Sequence, residues 1–343
     1  MRLSGKIIAS LALLIGSSTV TLAATQIKIA TLAPENSSWM KDFRAGAAEI
    51  KDQTEGRVLL KFYGGGVQGN ESKVLRKIQI GQLHGSTFSP TDFQKQFPDL
   101  NIYGLPFVFE SEDEVDYVRQ RMDAKLQSGF DELGFVTFGF ASGGFAIVMS
   151  NEPVRSHADL TSKKVWLPEG DLISYEAMKA LQLTPYQAPL TDVLTGLQTG
   201  LIDIVAIPPV VALALQWHTK VQFVTKVPVL YVMGFMAIQK KAFGKLDAAD
   251  QDVVRDVMTS IYAKVNANSR AESLNATNAL ATVGLEIVEA DDGEFDDIRR
   301  ISIETNREMA RKGMFSLDLL NEMQGHIEDF RNEHSAGKGG GAP

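Results

Sequence analysis

The sequence predicts an α/β protein of two lobes, and three observations carry that prediction. Residues 27–80 alternate strand and helix patterns, the same alternation restarts near residue 145, and from Asp247 onward the pattern turns almost wholly helical. A βαβ order favours a mostly parallel sheet, and 343 residues at 44% hydrophobic content are enough for two such units.

Taken in order, residues 27–30 and 58–63 read as strands bounded by turn signals. Between them, residues 38–54 place Trp39, Phe43, Ala47 and Ile50 along one helical face, with Ser37 or Ser38 available as the N-cap. Residues 71–80 form a second helix that Gly81 stops. The second unit has strands at 146–150, 164–167 and 202–207, and helices at 174–181 and 192–200. Asp247 can cap a helix running through Val253, Val257, Ile261 and Val265 to about Leu280. A strand at 285–289 comes next, then a mostly helical stretch, 295–333, broken near Gly313. Such helices are expected to brace both lobes rather than build a third domain.

The ends have their own grammar. Arg2 and Lys6, an apolar run at 7–15, and Thr21 and Ala23 ahead of Ala24 make residues 1–23 a cleavable secretory signal peptide. The apolar core is short for a membrane span, and no second stop signal follows it. Export to the periplasm and a soluble mature chain are therefore expected. Residues 335–343 (SAGKGGGAP) cannot bury anything and are expected to be disordered.

Composition excludes several classes. There is no cysteine, so disulfides, thiolate nucleophiles and thiolate metal sites are absent. The net charge of −8, without basic runs, argues against nucleic acid and anionic membrane as partners. His84, His157, His218, His326 and His334 show no metal-ligand spacing, and Ser89 and Ser142 lack a hydrolase elbow. Gly64, Gly66 and Gly69 do satisfy G-x-G-x-x-G, with Asp92 roughly where a ribose-binding acid falls. Against a dinucleotide, the next helix spans only about ten residues and the strand carries Lys61. No cofactor, no metal and no catalytic residue is expected.

Trp166 ends a strand just before Pro168, Glu169, Gly170 and Asp171. Ligands of open α/β sheets bind outside the carboxyl ends of strands, so Trp166 reads as a pocket wall or, equally, as core. Trp217 reads more readily as core.

The motifs as a series resemble the solute-binding proteins of tripartite ATP-independent periplasmic (TRAP) transporters, of the dicarboxylate-receptor type. The matching stretches are Gly56-Arg57-Val58, Gly69-Asn70-Glu71, residues 81–85, and Leu105-Pro106-Phe107-Val108-Phe109. Gly144-Phe145, Asp159-Leu160, residues 164–168 and residues 192–203 (DVLTGLQTGLID) continue the series over nearly the whole mature chain. The resemblance implies a periplasmic-binding-protein type II-like fold with a long C-terminal helix across both lobes, and delivery of a ligand to sodium-driven membrane subunits. On that template, lobe I is 24–143 with 232–271, lobe II is 144–231 with 272–300, and residues 301–334 are the bracing helix. Hinges fall at 142–144 and at Met233 and Gly234.

The departures from the family pattern bear on the ligand. Trp166 stands where the resemblance places an arginine that pairs with a substrate carboxylate, Ala146 where a second arginine is common, and Ile207 where an asparagine is common. A pocket of Trp166, Ile207, Leu190 and Phe145 is expected to prefer an apolar, aromatic or neutral ligand, oriented by Ser38, Asn70 and Ser89. A cation held by Trp166 with Glu169 or Asp171 is a second possibility. A periplasmic cofactor enzyme and a ligand-sensing subunit remain as alternative functions.

Overall fold

The computed structural model describes residues 24–336. The expected signal peptide lies outside the described residues, as do residues 337–343. The first segment runs β1 (Thr25–Ala30), α1 (Ser38–Gln53), β2 (Val58–Tyr63), α2 (Glu71–Gln79), β3 (Gly85–Phe88), α3 (Glu112–Glu132) and β4 (Phe135–Ser150). The second runs α4 (His157–Leu160), β5 (Lys164–Pro168), α5 (Leu172–Ala180), β6 (Thr184–Ala188), α6 (Val193–Thr199), β7 (Ile204–Ile207), α7 (Pro209–Ala214) and β8 (Phe223–Gln239). It closes with α8 (Lys240–Phe243), α9 (Ala248–Thr282), β9 (Glu286–Val288), α10 (Glu294–Arg311) and α11 (Leu317–Ala336). The tail expected from 335 onward thus begins inside α11. None of the helices is long and apolar enough to cross a membrane, among the described residues.

The two lobes share one sheet, ordered β2-β1-β3-β8-β4-β7-β5-β6 with β9 on β8. β1 runs parallel to β2 and β3, and β5 parallel to β6 and β7. These parallel groups are the two βαβ units, and the antiparallel ribbon of β4 and β8 joins them. β3 pairs with residues 235–238 of β8, whereas β7 pairs with residues 147–150 of β4. One end of the ribbon therefore serves each lobe. Register shifts fall between Thr137 and Phe140, Ser142 and Gly144, and Ala146 and Val148. The central shift lies where the lobes meet, and bulges bend the strand that carries them. Glycine is required there: Gly144 has φ +85°, and a Cβ on Gly143 would lie 3.0 Å from the Val232 carbonyl oxygen.

Apolar side chains cover both faces of each half of the sheet. In the first lobe Phe88, Phe93, Phe130, Phe140 and Phe235 form one aromatic core under α3 and α11. On the opposite face α9 lays Val254, Val257, Met258, Ile261 and Val265 against β4 and α1, in the cluster that also holds Ile27, Ile29 and Phe62. The same helix reaches the second lobe, where Leu280 packs with Trp217 and Val224. At 35 residues, α9 is about 50 Å long and is the element that spans both lobes. Residues 301–334, expected as one brace, are parts of two helices separated around Gly313, whose φ is +77°. α10 begins against the second lobe through Phe295 and Ile298 and ends on the first through Met309 and Ala310.

Candidate functional site

A cleft of about 440 Å³ lies between the lobes. Its walls come from strand ends and the turns beyond them: Thr31 to Pro34 after β1, Ser89 to Asp92 after β3, Leu167 to Glu169 after β5, and Ile207 at the end of β7. Ala141, Ser142 and Gly143 of the ribbon, with Tyr231 to Phe235 of its partner strand, form the floor. The lobes touch at two rims. The Leu172 N–H donates to Gln94 Oε1 at 3.1 Å, and a methyl placed on Gly66 would lie 3.6 Å from the Thr191 methyl.

Trp166 combines its two readings. It is 3% exposed, its indole N–H donates to the Ala188 carbonyl at 2.9 Å, and its ring meets Trp217 edge-on at 5.2 Å. It nevertheless lines the cleft, with Ile207, Leu190, Ser89, Glu169 and Asp171. Five other expected residues do not. Trp217 is buried behind Trp166 rather than in the wall. Ser38 is exposed on α1, its hydroxyl facing Glu272 at 3.4 Å, and the α1 cap is Ser37. Asn70 is spent as the N-cap of α2, accepting from the Lys73 N–H. Phe145 packs on Tyr231, and Ala146 is sealed against Leu230 just before the register shift that re-aims β4.

Residues the sequence did not place among the ligand contacts complete the wall. Glu71 at the start of α2, Asp92, Thr87 and Tyr231 all face the cleft. Ser89-x-x-Asp92 is a capping box, legible as such: Asp92 Oδ2 accepts from the Ser89 N–H at 2.8 Å and from its hydroxyl at 3.1 Å. The Tyr231 hydroxyl bonds Ser142 Oγ at 2.5 Å, and Thr87 donates to Thr31 at 2.7 Å.

The electrostatics of this wall are one-sided. Among the described residues that line it, none is lysine, arginine or histidine, while Glu71, Asp92, Glu169 and Asp171 are acids. Burial, then the neighbouring charge of Glu71, pushes Asp92 up to about 7. Burial and the charge of Glu169 across the cleft raise Glu71, and burial raises Asp171 despite its cap bond from the Ser174 N–H. No group of three or more His, Asp and Glu could hold a metal ion, among the described residues.

The glycine turn is built for another purpose than holding a phosphate. The Gly65 N–H donates to the Ala33 carbonyl, that of Gly66 to Thr31 and that of Gly69 to Gly66, so these amides are taken. β2 is an edge strand, which explains the exposed Lys61.

Comparison with known proteins places this architecture. The model of a family described as bacterial extracellular solute-binding protein, family 7, matches residues 29–312. The uncharacterized protein YiiZ of Salmonella typhimurium is 26% identical over 201 residues, 57% of this chain and 60% of its own length. A solute-binding protein of Verminephrobacter eiseniae is 25% identical over 240 residues, 68% of this chain and 70% of its own. Among solved structures, the sugar acid binding protein DctPAm of Advenella mimigardefordensis, in complex with galactonate, superposes with a TM-score of 0.83 at 17% identity. That alignment covers 90% of this chain and 99% of DctPAm.

Proposed function

This chain belongs to family 7 of the bacterial extracellular solute-binding proteins, and from that premise we propose that it captures a small molecule in the interlobe cleft and delivers it to the membrane subunits of a TRAP transporter. The ligand we assign is not a simple carboxylate. The observation that carries this is the cleft wall, which offers acids and no cation. A carboxylate brought there would be desolvated without a charge partner, at a cost of several kcal/mol. Trp166, Ile207, Leu190, Ser89, Glu169 and Asp171 are the proposed ligand contacts.

The lobes of this reading are 24–143 with 232–271 and 144–231 with 272–300, hinged at the ribbon near Ser142 to Gly144. Gly144 and the register shift beside it support that position. Export through residues 1–23 places the receptor in the periplasm. We read this member as a receptor and not an enzyme, since its family is one of receptors and its glycine turn keeps its amides for the fold.

The test is a thermal-shift screen of residues 24–343 against organic acids, aromatics, polyols and amines. A ligand at roughly a hundredfold excess over Kd stabilises by about 2.7 kcal/mol, a shift of several degrees. Shifts confined to compounds without a carboxylate are expected; strong shifts with succinate or galactonate would overturn the assignment.

A further inference from the structure

We infer that the cleft takes an organic cation, a protonated amine or quaternary ammonium carried on an apolar body. This deepens the reading of the cleft as a receptor site and rests on it. Two independent features of the cavity specify the two parts of such a molecule.

The first is how the acids are committed. Asp171 is held by the helix it caps, and Asp92 by Ser89. Glu71 and Glu169 are different: among the described residues, neither carboxylate has a hydrogen bond or ion pair with another side chain. Glu71 belongs to the first lobe and Glu169 to the second, and each faces the shared space. Bringing the lobes together brings two like charges together, which opposes closure. A positive charge between them converts that repulsion into attraction from both sides, so ligand charge and lobe closure become coupled. A neutral ligand would leave the repulsion in place, and an anion would add to it.

The second feature is the shape of the apolar part. The cavity continues into the second lobe between the sheet and α10, where Val165, Ile204, Phe295 and Ile298 line it. None of these can bond a hydroxyl, so this end suits hydrocarbon or an arene rather than a sugar chain. Trp166 lines the same cavity, and an aromatic ring face attracts a cation.

The experiment uses matched sets with one skeleton and three head groups: 3-phenylpropylamine, 3-phenylpropanol and 3-phenylpropionate, with the hexyl and octyl series beside them. Affinities are measured by calorimetry at pH 8 on the protein of residues 24–343 and on its Glu71→Gln and Glu169→Gln variants. In at least one series the amine should bind tenfold or more tighter than its alcohol. Either substitution should cut that preference several-fold by weakening the amine while, with the repulsion against closure relieved, the alcohol binds more tightly, a readout that misfolding would not produce. An amine no tighter than its alcohol in every series, or a preference intact in both variants, overturns the inference. Where alcohols win, the cation falls and the non-carboxylate reading stands; where carboxylates win, both fall.

Discussion

Replacing Trp166 by arginine puts a guanidinium where the family resemblance expects one, at a position the structure shows to be enclosed and already bonded. Trp166 is 3% exposed and its indole N–H satisfies the Ala188 carbonyl. Arginine there buries a charge against Ile207, Leu190 and Trp217 in place of a packed ring, with Asp171 already bonded to Ser174 and Glu169, which also lines the cleft, offering only partial compensation. A buried unpaired charge costs about 3–5 kcal/mol. Unfolding entropy of about 2.1 cal/mol/K per residue over some 310 residues makes each kcal/mol worth about 1.5 °C. The ligand-free variant should therefore melt about 6 °C below the parent. A carboxylate at a hundredfold excess over its Kd should restore about 2.7 kcal/mol, near 4 °C, in the variant and not in the parent. Differential scanning fluorimetry with succinate and galactonate measures both numbers, and Trp166→Phe, which forfeits chiefly a hydrogen bond worth about 1 kcal/mol, is the packing control. No carboxylate response from a folded Trp166→Arg protein would refute the placement of residue 166 against the ligand.

Other parts of the cleft give three further expected outcomes. Asp92 sits at about 7 in the fold against an ordinary 3.8, so between those values the folded state binds the extra proton. Its contribution to stability is full below about pH 4 and is lost as pH rises to 7, by up to about 4 kcal/mol before solvent in the cleft reduces it to roughly half. Asp92→Asn should flatten that part of a Tm–pH curve. Gln94→Ala deletes the rim bond to the Leu172 N–H, which should weaken ligand binding about fivefold, for about 1 kcal/mol, with little change in the ligand-free Tm. Gly144→Ala forces a side chain into φ +85° and within 3.1 Å of Ser273 Oγ, and urea denaturation should record a loss of about 1–2 kcal/mol.

The short βα pieces were legible in the sequence because their signals are local. β2 spans the expected residues 58–63, α1 is capped by Ser37, one of the two serines expected to do so, and α2 stops before Gly81 as expected. The joining ribbon was not. Only the last residues of β4 read as strand, because Gly139, Gly143 and Gly144 imitate turns, and Pro228 and Gly234 hide β8 in the same way. In the structure those residues sit at or beside register shifts that a lone strand pattern cannot reveal. α3 was unread although Val115, Val118, Met122, Leu126 and Phe130 hold its buried face. At the site, the strand-end rule pointed to Trp166 and Glu169 and the family resemblance to Ile207, whereas Phe145 and Ala146 depended on a register set by the bulge. Glu71 and Asp92 reach the cleft from the turns after β2 and β3, where their acidity follows from the enclosure of the site and not from any local pattern.

The most direct test of the cleft's assignment is the identity of the molecule the protein picks out of a mixture. The chain of residues 24–343, unfolded, refolded without ligand and incubated with a cellular metabolite extract, is separated by gel filtration and its bound compound identified by native mass spectrometry. The acidic, partly apolar wall predicts a compound without a free carboxylate, carrying an amine or ammonium on an apolar body. A dicarboxylate or sugar acid bound at stoichiometric occupancy would contradict it.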